Sequence, residues 1–124
     1  MENQLIQPKV SLQQLILGLV ILLMVIGLSL LGVYLYQISD PYIQTVISLQ
    51  GDVDQGEAIF AINCSGCHGI NGDGLVGPNL HDVSKRKSKL GLINQVTSGK
   101  TPPMPKFQPT SQEMADLLIF LEQL

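Results

Sequence analysis

The sequence predicts an all-α protein, with a single N-terminal transmembrane helix followed by a small helical head. Three observations point there. From Val10 to Ser39 the chain carries no charged residue. Beyond residue 51 the apolar residues recur at helical spacing in short runs, separated by loops rich in Gly, Pro, Asn and Ser, with little of the alternation that marks a strand. And Cys64-Ser65-Gly66-Cys67-His68 gathers two thiols and an imidazole into one turn of backbone.

A length of 124 residues allows one small domain plus an accessory segment. Residues 1–10 read as a polar tail and residues 11–38 as the membrane anchor. Within the anchor, Leu15 to Leu35 is almost wholly Leu, Ile, Val, Gly and Met. At about 1.5 Å per residue this stretch spans roughly 31 Å, the thickness of a bilayer's hydrocarbon core. A surface helix of a soluble domain would carry a polar stripe, and this run has none. A removable signal core is shorter, about 7–15 residues, and ends at a small-x-small site. Here Tyr34, Tyr36 and Tyr42 follow instead, residues suited to an interfacial aromatic belt. The expectation is an uncleaved signal-anchor. Lys9 precedes it and Asp40, Asp52 and Asp54 follow, which favours a cytoplasmic N-terminus.

Residues 39–51 read as a linker. Asp40 suits an N-cap and Pro41 a first helical position. Ile43, Val46, Ile47 and Gln50 then recur at helical spacing. That pattern fits a short helix on the membrane surface as well as it fits a plain connector. A linker of about 15 residues would allow the head limited swinging and hold it at high local concentration near membrane partners. The head, residues 52–124, is small for burying a sufficient core on its own. Its first helix covers Gly56 to Ile62, with Asp54 as cap, and runs into the cysteine motif. Lys85 to Val96 gives a middle helix with Leu90, Ile93 and Val96 as its apolar members. Thr110-Ser111-Gln112-Glu113 is a capping box opening a last helix that carries Met114, Leu117, Leu118, Leu121 and Phe120. Gly56 and Phe60 share a face, so the last helix can cross the first closely, with Phe60, Leu117 and Phe120 interlocking.

Cys-x-x-Cys-His is the attachment signature of a c-type haem. Two thiols on one turn can add to the two vinyl groups on one porphyrin edge, and the next imidazole can supply a proximal nitrogen to iron. Both cysteines of the chain are spent here, so none remains for a disulfide. A thioredoxin-like redox pair would need a βαβ context, which is missing. A zinc site would have to use Cys64, Cys67, His68 and His81, with adjacent Cys67 and His68 on one tetrahedral ion. A covalently held porphyrin would also serve as the core that so small a head lacks. Of four methionines, Met1 is terminal, Met24 lies in the apolar run and Met114 sits on a helix stripe. Met104 alone lies in a loop, Thr101-Pro102-Pro103-Met104-Pro105, which three prolines stiffen. A thioether sulfur held there would be a soft distal iron ligand that raises the potential. His81 is the rival, giving bis-histidine ligation and a lower potential. Gly72-Asp73-Gly74 lacks the ligand run of a calcium loop and the lysine of a phosphate loop, and fits a tight turn beside a porphyrin.

Gly56-x-x-x-Phe60, Cys64-x-x-Cys67-His68, Gly77-Pro78-Asn79-Leu80-His81, Pro103-Met104-Pro105-x-Phe107 and Leu117-Leu118-Ile119-Phe120-Leu121 follow one another in a familiar order. On these pieces the head resembles a class I cytochrome c over essentially all of residues 52–124. With its anchor the chain looks like small membrane-bound members of that family from cyanobacteria. The resemblance implies one haem c, with thioethers at Cys64 and Cys67, His68 as proximal ligand and Met104 as distal ligand. It implies that Pro78 offers its carbonyl to the other ring nitrogen of His68, which fixes the ring and raises its basicity. It places a non-ligand histidine at His81.

An iron with six ligands has no open position for substrate, so its chemistry is the gain or loss of one electron. The expectation is an electron carrier rather than an enzyme, working between membrane redox complexes of a respiratory or photosynthetic chain. A quinol-oxidising cytochrome complex, a terminal oxidase and a photosystem are the partner types, with the lipid bilayer as a further contact. Haem attachment by the usual machinery would put the head on the periplasmic or thylakoid-lumenal side. From Asp40 onward nine acidic and six basic side chains give −3. The basic ones cluster at Lys85, Arg86, Lys87 and Lys89, with Lys100 and Lys106 flanking Met104. Lysines around an exposed haem edge would steer an acidic partner, while Lys85–Lys89 also reads as a solvated helix face. Nucleic acid is excluded as a partner by the acidic balance and the lack of interleaved aromatic and basic residues. The alternative expectation is a fixed haem-bearing or regulatory subunit of a larger membrane redox complex, docked through the small residues Gly18, Gly27, Ser29 and Gly32.

Overall fold

The computed structural model describes residues 10–124, and every regular element among the described residues is a helix. The polar tail and Lys9 lie outside the described residues. The chain divides into two compact units, one ending at Gln37 and the other running from Ile38 to Leu124.

The first unit holds helix α1, Leu12–Ile38, all but its last residue, and no side chain of the helix is buried. Ser11 and Gln14 open it reciprocally: Ser11 N donates to Gln14 Oε1 at 3.0 Å and Gln14 N donates to Ser11 Oγ at 3.3 Å. The hydroxyl of Ser29 donates to the Val25 carbonyl at 2.8 Å, so its proton is satisfied inside the helix. By length and composition α1 can cross a membrane.

The second unit begins with α2, Pro41–Ser48. Asp40 Oδ1 accepts from Tyr42 N at 2.8 Å, and Pro41 takes the first helical position. The apolar face of α2 is not left for lipid. Ile43 and Val46 are buried in the head's core, and the helix packs against the last helix. The Tyr42 hydroxyl donates to the Pro109 carbonyl at 3.0 Å. The segment read as a linker is therefore largely part of the head, and Tyr42 belongs there rather than to a belt with Tyr34 and Tyr36. Only Ser39 and Asp40 separate the last residue of α1 from the first of α2.

Helix α3 covers Val53–Asn63. Its cap is Asp52, whose Oδ1 accepts from Gln55 N at 3.0 Å, rather than Asp54. A tertiary contact selects it: Asp52 N donates to the buried Asp116 Oδ1 at 2.8 Å. Asp116 Oδ1 also accepts from Gln112 Nε2 at 2.8 Å, so this one oxygen takes two hydrogen bonds. Helix α4, Ser65–His68, follows directly. The middle region holds two helices instead of one, α5 (Val83–Arg86) and α6 (Lys89–Ser98). Ser88 makes the break, its Oγ accepting from Gly91 N at 3.1 Å to cap a new helix. Helix α7, Ser111–Leu121, opens with the predicted capping box: Thr110 N donates to Glu113 Oε2 at 2.7 Å and Glu113 N to Thr110 Oγ1 at 3.3 Å.

The core forms where α3 and α7 cross. A Cβ on Gly56 would stand 2.0 Å from the Asp116 carbonyl oxygen, so only glycine permits this approach. The Phe60 and Phe120 rings lie 5.2 Å apart at 47°. Phe60, Met114, Leu117 and Ile93 are almost completely buried around them, and Leu92, Val96, Leu118 and Leu121 extend the cluster.

Candidate functional site

The crossing of α3 and α7 positions the cysteine motif. Cys64 ends α3 and starts α4, half-buried against the core, while Cys67 is exposed. Both thiols are free. Burial, and then the neighbouring Cys67, push the Cys64 thiol up to about 11, so it stays protonated at neutral pH.

The loop after α4 folds back over the motif. Gly74 N donates to the His68 carbonyl and Gly77 N to the Cys67 carbonyl, both at 2.7 Å. Gly74 turns the chain at φ 92°, a region open to glycine, and a Cβ there would come within 2.8 Å of Asn79 N. Gly77 lies flat on the imidazole: a Cβ would be 2.7 Å from His68 Cε1. The ring of His68 is buried, and its Nδ1 is 2.8 Å from the Pro78 carbonyl oxygen. A carbonyl only accepts, so Nδ1 carries a proton, and Nε2 is the nitrogen left for a metal.

Cys64, Cys67, His68 and Pro78 are thus brought together by α4 and one returning loop. Met104 sits in the connection between α6 and α7. That connection is tied down by Met104 N donating to the Thr101 carbonyl at 2.9 Å and Phe107 N to the Val96 carbonyl at 3.0 Å. The Met104 sulfur lies 3.5 Å from Gln95 Nε2, which also reaches Thr101 Oγ1 at 3.3 Å. Met104 is packed, partly open, on the same core as Cys64, Leu80, Leu90 and Phe107. His81 has both ring nitrogens engaged elsewhere, Nδ1 with the Leu124 carbonyl at 2.9 Å and Nε2 with Asp73 Oδ1 at 2.8 Å. Sequence reasoning missed Gln95, because a polar residue inside a helix gives no sign of what it faces. It also missed what the basic cluster does. Lys85 pairs with Asp82 at 2.7 Å, Lys89 pairs with Glu122 at 2.9 Å, and Arg86 Nη2 donates to the carbonyls of Asn79 and His81.

The residues present fit a haem c. Two free thiols share one turn, an imidazole with Nδ1 engaged keeps Nε2 available, a thioether stands on a proline-stiffened loop, and the partly buried Cys64, Leu80, Leu90, Met104 and Phe107 pack on one core. A helical head closing on such a turn defines a c-type cytochrome. The comparisons agree. Residues 51–121 match the family described as "Cytochrome C oxidase, cbb3-type, subunit III". The "Cytochrome c-553-like" protein of Synechocystis sp. is 51% identical over 102 residues, covering 81% of this chain and 97% of that protein. Cytochrome c6 of Gracilaria tenuistipitata var. liui is 37% identical over 67 residues, covering 49% of this chain and 60% of that protein. The chain belongs to the cytochrome c family, whose members carry covalently bound haem c and transfer electrons.

Proposed function

We propose that this chain is a membrane-anchored monohaem electron carrier and not an enzyme in its own right. The observation that carries the reading is the buried His68 ring, clamped under Gly77 with Nδ1 on the Pro78 carbonyl. Bound haem supplies one-electron exchange at its iron. Cys64 and Cys67 hold it through thioethers, and His68 Nε2 is the proximal ligand. Pro78 keeps the ring oriented and electron-rich through its carbonyl. Met104 is the distal ligand, and its neutral sulfur favours the reduced state. With His68 and Met104 both holding the iron, the chain's task would be to hold one potential and present one haem edge to partners. α1 is the anchor, the N-terminus is cytoplasmic, and the head faces the periplasm or the thylakoid lumen. Lys100 and Lys106, on either side of Met104, suit an acidic docking partner among the quinol-oxidising complexes, terminal oxidases or photosystems.

The test is a redox-titrated visible spectrum of the purified holoprotein. Met104→Ala is expected to abolish the ferric thioether charge-transfer band. It should also lower the potential by on the order of 100 mV, within the roughly 0.8 V that axial ligands command. An intact band in Met104→Ala removes the distal assignment.

A second reading, a fixed subunit of a membrane redox complex, has support of its own. The matched family's description names an oxidase subunit, and Gly18, Gly27 and Gly32 of α1 have no neighbour that a Cβ would meet. Size analysis in mild detergent separates the two: a carrier elutes alone, a subunit with its complex.

A further inference from the structure

The loop that covers the motif, residues 69–82, is fastened to Leu124, three residues past α7, by one side chain. His81 Nδ1 faces the Leu124 carbonyl oxygen at 2.9 Å and Nε2 faces Asp73 Oδ1 at 2.8 Å. Both partners are acceptors. A neutral imidazole has a single N–H and can serve only one of them; the imidazolium serves both. We propose that His81 is a pH-operated clasp, which as imidazolium ties the motif-covering loop to the residues after α7 and on losing its proton releases one of its two holds.

What the clasp fastens is specific. Asp73 lies between Gly72 and Gly74 in a stretch whose amides reach back to the motif: Gly72 N to the Gly69 carbonyl, Gly74 N to that of His68, Gly77 N to that of Cys67. Leu80 N closes the loop on the Gly72 carbonyl at 2.8 Å. From the other side, the Leu124 side chain lies against Gly72, where a Cβ would stand 3.0 Å from Leu124 Cδ1. His81 therefore bridges the two sides of a contact that encloses the strap over His68.

The charges around it favour the proton. The loop contributes Asp73, and Asp82 follows His81 in sequence. From α5, Lys85 is paired with Asp82, and Arg86 donates to the His81 carbonyl at 2.9 Å. Beside Leu124, Glu122 is paired with Lys89. The hydrogen bond to Asp73, and then the one to the Leu124 carbonyl, hold the His81 pKa above its usual value, and His81 in turn holds Asp73 below the usual carboxylate range. A raised folded-state value means that the stabilisation is fully present below the ordinary histidine range, about pH 6.5, and is lost as pH rises through the higher folded value. The pair is 42% and 64% exposed, so solvent screens it and the effect is local to the loop.

The experiment uses ferrous, diamagnetic holoprotein in detergent. NMR follows the His81 ring and the exchange protection factors of the Gly72, Gly74, Gly77 and Leu80 amides from about pH 5.5 to 9. His81 is expected to titrate above the ordinary histidine value, with loop protection falling severalfold through that same midpoint. Asp73→Asn should move both midpoints down together, and His81→Asn should flatten the pH dependence. Should His81→Asn not fold, Asp73→Asn still decides. Loop protection that is flat through the His81 midpoint, or a midpoint that Asp73→Asn leaves in place, overturns the clasp.

Discussion

Gly77 and Pro78 together decide what His68 can be. A side chain at position 77 would collide with the imidazole, and without the carbonyl at 78 the Nδ1 proton would have no partner there. The two residues bury the ring, set its tautomer and leave one nitrogen available. The Cys64-x-x-Cys67-His68 turn was legible from its spacing and the Pro78 carbonyl only through the family resemblance; that Gly77 lies against the ring was not, because the returning loop is folded by contacts to the His68 and Cys67 carbonyls. Gln95 was not legible. Its amide meets the Met104 sulfur only because the loop between them folds back on α6. The amide's positive end faces the thioether and disfavours further positive charge there, so it favours the reduced state. Gln95→Leu should lower the reduction potential. A neutral hydrogen bond is worth about 0.5–1.5 kcal/mol, which at 59 mV per tenfold for one electron is roughly 20–65 mV. Spectroelectrochemical titration of the variant beside the parent checks it, and an unchanged potential would mean that the contact has no electronic effect.

At the scale of elements, caps explain most boundaries. Thr110 and Glu113 open α7 as their spacing implied, since a capping box needs only four consecutive residues. Two hydrogen bonds from Thr110, the backbone N–H first and the hydroxyl second, hold the Glu113 carboxyl below its usual range. A depressed value gives stability that is present above the unfolded-state pKa, about 4.3, and is lost as pH falls through the lower folded value. Thermal unfolding of the holoprotein should therefore show an acid-side loss that Glu113→Gln diminishes; equal acid slopes for the two proteins would contradict this. The division of the middle helix was harder to read. Leu90, Ile93 and Val96 mark a helix face and the polar run Lys85–Lys89 before them shows no break, yet Ser88 competes with the backbone and starts α6 afresh. The cap of α3 shifted from Asp54 to Asp52 through Asp116, sixty-four positions away. Local pattern does not report such long-range hydrogen bonds.

For the whole molecule, an apolar N-terminal helix ahead of a helical head was legible in the sequence, but not where the head begins. Ile43 and Val46 have the spacing of an apolar helix face, and such a face suits lipid as well as protein; periodicity does not distinguish two apolar surroundings. The structure buries both residues in the head. Ile43→Ala should then cost about 2–5 kcal/mol, as deletion of a packed core side chain does. Guanidinium unfolding of the ferric holoprotein measures it, and a cost near zero would return residues 39–51 to the status of a loose connector. The same packing bears on how the chain would work. Residues 41–48 are spent on α2 and its packing against α7, so the connector of about 15 residues that would have given a swinging head its reach is not available as one.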